Sequence, residues 1–297
     1  MKADAKIDVI YILSEKSSGS SFLFRSLKDA LNIKTYPKTI HFESETLYWT
    51  KAASLLDKPQ LNMLASAVPY SKDRARKEIK EFLASNLSHD IKFESDEDMV
   101  FRGWFELVRK FGPVFIEKSP HHLLQWSALQ LMLEFEKRYQ SKINCHYICL
   151  IRNPKDVFLS QFRRWNVDLE LLENQWLINY MNWNRFEHQY SGSNKYLVRY
   201  EDFTKDSSSF LTTFSERLSL SCQLYKTEKV RNSKASKKSN IFGFPFSSST
   251  VALAKEFGYS NDELIHVPSM KWTLYTLYIK YFYSAAKRAY NFLKGVK

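Results

Sequence analysis

The sequence predicts an α/β fold built on a parallel sheet, and three observations lead there. Short apolar runs rich in Ile, Val and Tyr alternate along the chain with longer amphipathic stretches. The polar motifs of interest begin where those apolar runs end. Seven Gly and eight Pro in 297 residues favour short connections. Strands alternating with helices form a parallel sheet through right-handed crossovers, and such sheets bind ligands outside the carboxyl ends of their strands.

Taken in order, residues 7–13 read as a buried strand, followed by a Ser/Gly stretch at 14–21. Phe22, Leu23, Ser26, Leu27, Ala30 and Leu31 then recur at helical spacing. A short extended stretch is expected at 34–40 and a helix at 43–56. Charged amphipathic helices are expected at 71–87 and 96–111. The run PVFIE at 113–117 is a second strand, 123–139 a helix, and CHYICLI at 145–151 a third strand ended by Arg152-Asn153-Pro154. Helices follow at 156–165 and 169–190, a strand at 196–200 and a helix at 210–218. The segment 226–240 is basic and Ser-rich without apolar periodicity, which reads as a surface loop.

Hydrophobic residues make up 44% of the chain, enough for a full core. Lys and Arg number 44 against 32 Asp and Glu, a formal charge of +12. That surface suits an anionic partner, whether nucleotide, nucleic acid, lipid or acidic glycan, and charge does not choose among them. Cys145, Cys149 and Cys222 form no CxxC pair, which speaks against a disulfide framework or a zinc site. Cys145 and Cys149, four apart in one strand, would sit roughly 13 Å apart, too far to bond. They read as buried thiols. The first residues are too short in apolar length for a signal peptide, and no run of 18 apolar residues suggests a membrane span, so a cytoplasmic protein is expected.

The loop Lys16-Ser17-Ser18-Gly19-Ser20-Ser21 joins a strand to a helix. Small residues let backbone amides close on an anion, the helix start adds partial positive charge, and Lys16 adds a full one. The same residues also suit a Ser-rich turn. The loop is not GxxxxGK[ST], so a strict nucleotide-triphosphate loop is absent. After the third strand, Arg152 at its end and Ser160 two turns into the next helix suit one phosphate, or a surface arginine and an interior serine. After the second strand, Lys118 suits a leaving-group charge, and His121 and His122 suit either general bases or polar residues at a helix start. His41 to Thr46 opens the expected helix at 43–56, and Arg199 to Asp202 ends the fourth strand.

Together these segments resemble the PAPS-dependent sulfotransferase superfamily, nearest to its carbohydrate and tyrosylprotein branches (PAPS is 3'-phosphoadenosine 5'-phosphosulfate). SSGSSFL at 17–23 is similar to the family's 5'-phosphosulfate loop, although the family's basic residue usually directly precedes Ser-Gly and here Lys16 stands one residue earlier. Arg152 with Ser160 is similar to its 3'-phosphate segment, Lys118-Ser119-Pro120 to its Lys-(Asp/Thr/Ser)-Pro segment, and Arg199 to Phe203 to its Arg-Tyr-Glu-Asp-Leu segment. The order and spacing hold over about residues 7–215.

The resemblance implies a P-loop-NTPase-like three-layer domain with a central parallel sheet, spanning 1–297 as a single sulfotransferase domain. It implies PAPS as donor, PAP (3',5'-ADP) as product, no metal and a hydroxyl acceptor, with a glycan as the preferred guess among glycan, lipid and small molecule. Lys16, Ser17, Ser18, Gly19, Ser20, Ser21, Phe22, Arg152 and Ser160 would bind the donor. Lys16 and Lys118 would carry catalytic charge. Glu45 is the expected base, because tyrosylprotein sulfotransferases place theirs in a similar Glu-Glu-Thr setting; Glu43, His41 and His121 are the rivals.

Sulfuryl transfer, like phosphoryl transfer, relies on in-line positioning and charge stabilisation, which suits these residue types. Two other readings remain, a nucleotide kinase or NTPase-like enzyme and a non-enzymatic basic protein that binds anions or membrane. Nucleic acid is not an expected partner. The loop at 226–240 is a candidate cover for the nucleotide. The tail at 270–297 is expected to be a basic aromatic helix, with Trp272, Tyr275, Tyr278, Ile279 and Phe282 at helical spacing. It either touches membrane at its interface or packs on the domain.

Overall fold

The computed structural model describes residues 6–87, 91–220, 222 and 241–283. The chain divides into two compact units, Met1–Ile151 with Ile178–Lys229, and Arg152–Leu177 with Val230–Lys297.

The first unit holds the sheet. Strands β1 (Ile7–Ser14), β2 (Val114–Lys118), β3 (Ile143–Ile151) and β4 (Lys195–Arg199) are all parallel, in the order β2-β1-β3-β4. These are the four strands the sequence predicts. On one face Ile10, Ile12, Ile116, Ile148, Leu150 and Val198 pack against Leu23 and Leu27 of α1 (Ser20–Ala30). Phe203 of α8 (Tyr200–Lys205) and Phe214 of α9 (Ser207–Arg217) complete that layer.

The opposite face is aromatic. Tyr11 stacks on Tyr147 with ring centres 5.4 Å apart. Trp49 of α2 (Tyr48–Leu55) meets Tyr11 edge-on at 6.5 Å. Trp104 of α4 (Asp96–Phe111) donates from Nε1 to the Tyr11 hydroxyl at 2.9 Å. Helices α3 (Lys72–Asn86) and α5 (Trp126–Tyr139) extend this layer through contacts with α2. Helices thus cover both faces, which is why the inner strands read as continuous apolar runs rather than alternating ones.

One local expectation changes. The helix expected at 43–56 begins only at Tyr48, because Glu43 (φ 56°), Ser44 (φ 60°) and Leu47 (φ 53°) take left-handed backbone angles. Tertiary bonds hold that segment out of the helix: Thr46 Oγ1 donates to Glu117 Oε1 at 2.8 Å, and the Leu47 amide donates to Ser119 Oγ at 3.0 Å. The extended stretch at 34–40 joins no strand. Its backbone is bonded by a side chain instead: Lys38 N donates to Asn86 Oδ1 at 2.7 Å, and Asn86 Nδ2 returns to Lys38 O at 2.8 Å.

The second unit contains α6 (Pro154–Trp165) and the first part of α7 (Leu169–Gln189), whose remainder belongs to the first unit. It also contains α10 (Ser248–Glu256), α11 (Asn261–Leu264) and α12 (Met270–Leu277), the last followed by a π-helical turn at Tyr278–Tyr283. Phe158 packs edge-on against Phe246 at 5.4 Å, and Phe162 lies 6.2 Å from Trp272. Within the expected tail, Trp272, Tyr275 and Ile279 are buried, whereas Tyr278 and Phe282 are exposed. The basic loop at 226–240 and residues 284–297 lie outside the described residues. Cys145 and Cys149 are buried free thiols, and Cys222 is a half-buried one. Among the described residues no helix is long and apolar enough to cross a membrane.

Candidate active site at the carboxyl edge of the sheet

Strand order decides where a ligand has room. The chain leaves β1 toward β2 on one side and leaves β3 toward β4 on the other, so the connections diverge at the carboxyl ends of β1 and β3. In open α/β sheets that divergence opens the binding crevice. The Ser/Gly loop leaves β1 at this edge.

The loop closes tightly. Ser18 N donates to Glu15 O at 3.3 Å, Ser17 has φ 65° and Gly19 has φ 91°. A Cβ on Gly19 would lie 2.2 Å from Cε2 of Tyr200, so a side chain there would force the Tyr200 ring aside. Glu15 is fully buried and accepts a hydrogen bond from Asn179 Nδ2. Gly19 is the N-cap of α1, and no side chain caps that helix. The first amides of a helix have no carbonyl one turn back to bond, and they carry the positive end of its dipole. Anionic phosphosulfate fits this uncapped start.

Side-chain alternation along β2 splits two adjacent charges between the two faces. Lys118 pairs in register with Ile12 and Glu117 with Tyr11. Lys118 therefore points to the α1 face, where Nζ donates to Ser21 Oγ at 3.3 Å and to Glu45 Oε1 at 3.1 Å. The lysine side chain is fully buried and that of Glu45 is 19% exposed. Burial pushes the Glu45 carboxyl above its ordinary range, and the charge and hydrogen bond of Lys118 offset this only in part.

Glu117 points the other way, into a fully buried network. Its Oε1 accepts from Thr46 Oγ1 at 2.8 Å and Ser119 Oγ at 2.5 Å, with His122 Nε2 at 3.3 Å. The other His122 nitrogen lies 2.8 Å from Thr50 Oγ1. Burial raises this carboxyl, but His122, Ser119 and Thr46 together outweigh it and hold Glu117 below the ordinary carboxylate range. The network anchors residues 46 and 47, the pair directly after Glu45.

The other expected residues are distributed as follows. Lys16 is buried at 6% exposure, and its Nζ donates to the carbonyls of Leu64 at 2.8 Å and Ala65 at 3.1 Å. Its charge still reaches Glu45 and His121. His121 Nδ1 lies 3.9 Å from Glu45 Oε2, and burial, then Lys16, holds its ring well below the ordinary histidine range. His41 lies apart from Lys118, with Nε2 2.8 Å from Lys51 Nζ, which in turn contacts Glu78 Oε2 at 3.1 Å. Burial, then Lys51, lowers His41 to about 4. Glu43 is engaged by Arg25 at 2.9 Å.

Arg152 and Ser160 belong to the second unit. Arg152 is buried and donates from Nη2 to Asp156 Oδ2 at 3.2 Å, one turn along α6. Asn153 caps that helix, accepting from Lys155 N at 3.0 Å, and Pro154 occupies its first turn. Ser160 is half-buried on α6.

Sequence reasoning missed the roles of Thr46, Thr50, Glu117 and Ser119 and the cluster of buried Lys51 with half-buried His41 and Glu78. One signal was present: Glu117 is an acid at the end of an otherwise apolar strand. Its partners lie far away in sequence and only the fold brings them together.

A parallel sheet with helices on both faces, an uncapped helix start after its first strand and a buried lysine paired with a half-buried glutamate beside it are the features of a nucleotide-type α/β fold. The sulfotransferase family profile matches residues 9–223, and the chain belongs to that family. No curated protein sequence matches the chain. Among solved structures, it is similar to the sulfotransferase domain from the curacin biosynthetic pathway, at 18% identity and a TM-score of 0.55, covering 86% of this chain and 99% of that one. It is similar to the sulfotransferase domain from the Synechococcus PCC 7002 olefin synthase, at 18% identity and a TM-score of 0.54, covering 88% and 98%. A sulfotransferase from Alicyclobacillus acidocaldarius aligns at 14% identity and a TM-score of 0.50, covering 87% and 98%. At such identities the likeness is one of fold. Family membership makes the chain a sulfotransferase whose donor is PAPS.

Proposed function

We propose that this sulfotransferase transfers the sulfuryl group of PAPS to a hydroxyl of a glycan, with Glu45 as the base. One observation carries the assignment: the Lys118 ammonium touches both Ser21, at the start of α1, and Glu45. PAPS supplies a sulfuryl group bonded to a good leaving phosphate. The backbone amides at Gly19 to Ser21 and the Ser17, Ser18, Ser20 and Ser21 hydroxyls hold the 5' end, with Phe22 in the same turn. Arg152 and Ser160 hold the 3'-phosphate.

Glu45 accepts the acceptor's hydroxyl proton as its oxygen bonds to sulfur and the bond from sulfur to the phosphate oxygen breaks. Lys118, with three N–H donors, stabilises the charge that develops on that leaving oxygen, and Lys16 contributes its field. A carboxyl raised by burial is a stronger base than an exposed one, which suits the task.

The two units work as one sulfotransferase domain in this reading, and the protein acts in the cytoplasm. Membrane contact through the tail is a second element. Its support is a group of exposed apolar side chains, Met270, Leu274, Tyr281 and Phe282, beside Lys271 and Lys280. Liposome co-sedimentation should weaken when residues 270–297 are deleted; unchanged sedimentation removes this element.

The acceptor class is tested by mass spectrometry of products formed from PAPS with glycans, sterols, simple phenols and tyrosine peptides. Sulfated glycans are expected. Sulfation confined to the other acceptors overturns the glycan assignment and leaves the sulfotransferase in place.

A further inference from the structure

The first unit carries a cleft of about 830 Å³ that the donor site does not use. Its wall is the extended stretch at 34–39 together with His41 and Ser44, closed by Ser85, Asn86, Lys110 and Phe111. Ser44 directly precedes Glu45, and Thr39 Oγ1 donates to the Glu45 carbonyl at 2.5 Å. The wall of the cleft therefore runs into the segment that presents Glu45.

Three lysines, Lys34, Lys38 and Lys110, line the cleft, all exposed, and among the described residues no Asp or Glu lines it. Like charges gathered without a counter-charge raise the local anion concentration. The wall is also held in place. Asn86 is buried and clamps the Lys38 backbone through both its amide oxygen and its amide nitrogen. Tyr36 is fixed between Phe24, whose ring lies edge-on at 6.0 Å, and the Lys28 ammonium, 4.4 Å from its ring centre. Such a volume falls within the range of about 300–1,000 Å³ for small-molecule sites.

We infer that this cleft receives the acceptor and that the acceptor carries an anionic group of its own, a carboxylate or a sulfate or phosphate ester, held by Lys34, Lys38 and Lys110 while its hydroxyl faces Glu45. The inference rests on the glycan reading above and narrows it to acidic glycans. A neutral sugar offers these lysines no counter-charge, whereas an acidic one replaces bulk counter-ions with a fixed partner.

The test is calorimetric titration of the full chain, saturated with 3',5'-ADP, at low salt. The probes are the hexuronate–N-acetylhexosamine disaccharide of hyaluronan and the neutral N,N'-diacetylchitobiose. The acidic disaccharide should bind at least about tenfold more tightly. K34A/K38A should remove most of that preference, since exposed charge pairs contribute about 2- to 5-fold each. Affinity for 3',5'-ADP should be unchanged in that variant, which shows the fold intact. Equal affinity for the two sugars, binding of neither, or a preference that survives in K34A/K38A overturns the inference. Wild-type protein that does not bind 3',5'-ADP counts instead against the donor-site assignment, so the two failures are distinguishable.

Discussion

Lys118 Nζ stands 3.1 Å from Glu45 Oε1 although 73 residues separate them in the chain. The lysine leaves the end of a strand and the glutamate sits in a strained turn before a helix. The pair therefore joins a cation and a carboxylate at the start of α1. Removing the base without its volume is the direct test. Glu45→Gln should lower kcat by about 10²- to 10⁴-fold, the usual range for a general base, with 3',5'-ADP affinity unchanged. Steady-state kinetics with calorimetry reads both. Near-normal turnover in Glu45→Gln, with collapse in Glu43→Gln or His121→Ala, moves the base to that residue.

The pH profile follows from the same pair. As the proposed base Glu45 works deprotonated, and burial raises its carboxyl above the ordinary 4.5. Activity is thus present above that raised value and lost as pH falls through it. The acidic limb of kcat/KM should lie above 4.5 in the wild type. In Lys118→Met the limb should move further toward neutrality, because the partner that lowers the carboxyl is gone. A limb unchanged in Lys118→Met, measured on residual activity, contradicts the coupling.

Gly19 is a conformational and a steric requirement together. Its φ of 91° and the Tyr200 ring 2.2 Å from a would-be Cβ make Gly19→Ala costly in two ways. Weaker 3',5'-ADP binding and a lower urea midpoint are expected. In G19A/Y200A the steric part should disappear, leaving a backbone cost of about 1–2 kcal/mol relative to Tyr200→Ala alone. A double variant no better than Gly19→Ala would assign the whole effect to the backbone.

Glu117 accepts from Thr46 and Ser119, and Ser119 in turn holds the Leu47 amide, so the segment after Glu45 is tied to it. Glu117→Leu leaves two buried hydroxyls and the His122 ring without their acceptor, and about 3–5 kcal/mol of stability should be lost in urea denaturation. Glu117→Gln retains volume and one acceptor oxygen. It should unfold near the wild-type midpoint yet lower kcat by up to about 10²-fold, with KM for PAPS little changed, because a neutral amide oxygen holds Thr46 and Ser119, and through them residues 46 and 47, less firmly than a carboxylate does. A purely structural role predicts a stability loss with unchanged kcat.

Arg152→Ala should weaken 3',5'-ADP binding by about 1.5–3 kcal/mol, the range for a charge-assisted hydrogen bond. Calorimetric titration decides it. Unchanged affinity removes Arg152 from the donor site.

Sequence alone determined the four strands, most of the helices and the residues that follow each strand. Apolar runs, helical periodicity and small-residue loops are local signals, and the burial that rewards them is the same in any α/β sheet. The strand-end position of Lys118 was legible for that reason, and so was the loop at Gly19. The tertiary structure alone decided that Glu45 lies outside a helix, because its neighbours bond Glu117 and Ser119 some seventy residues away, and those bonds outweigh local helix propensity. It also decided that Lys16 bonds the carbonyls of Leu64 and Ala65, and that Glu117 and Lys118 serve opposite faces through the two-residue alternation of a strand paired in one register. Partners that meet only across the sheet leave no periodic trace in the chain, so their geometry is a property of the fold.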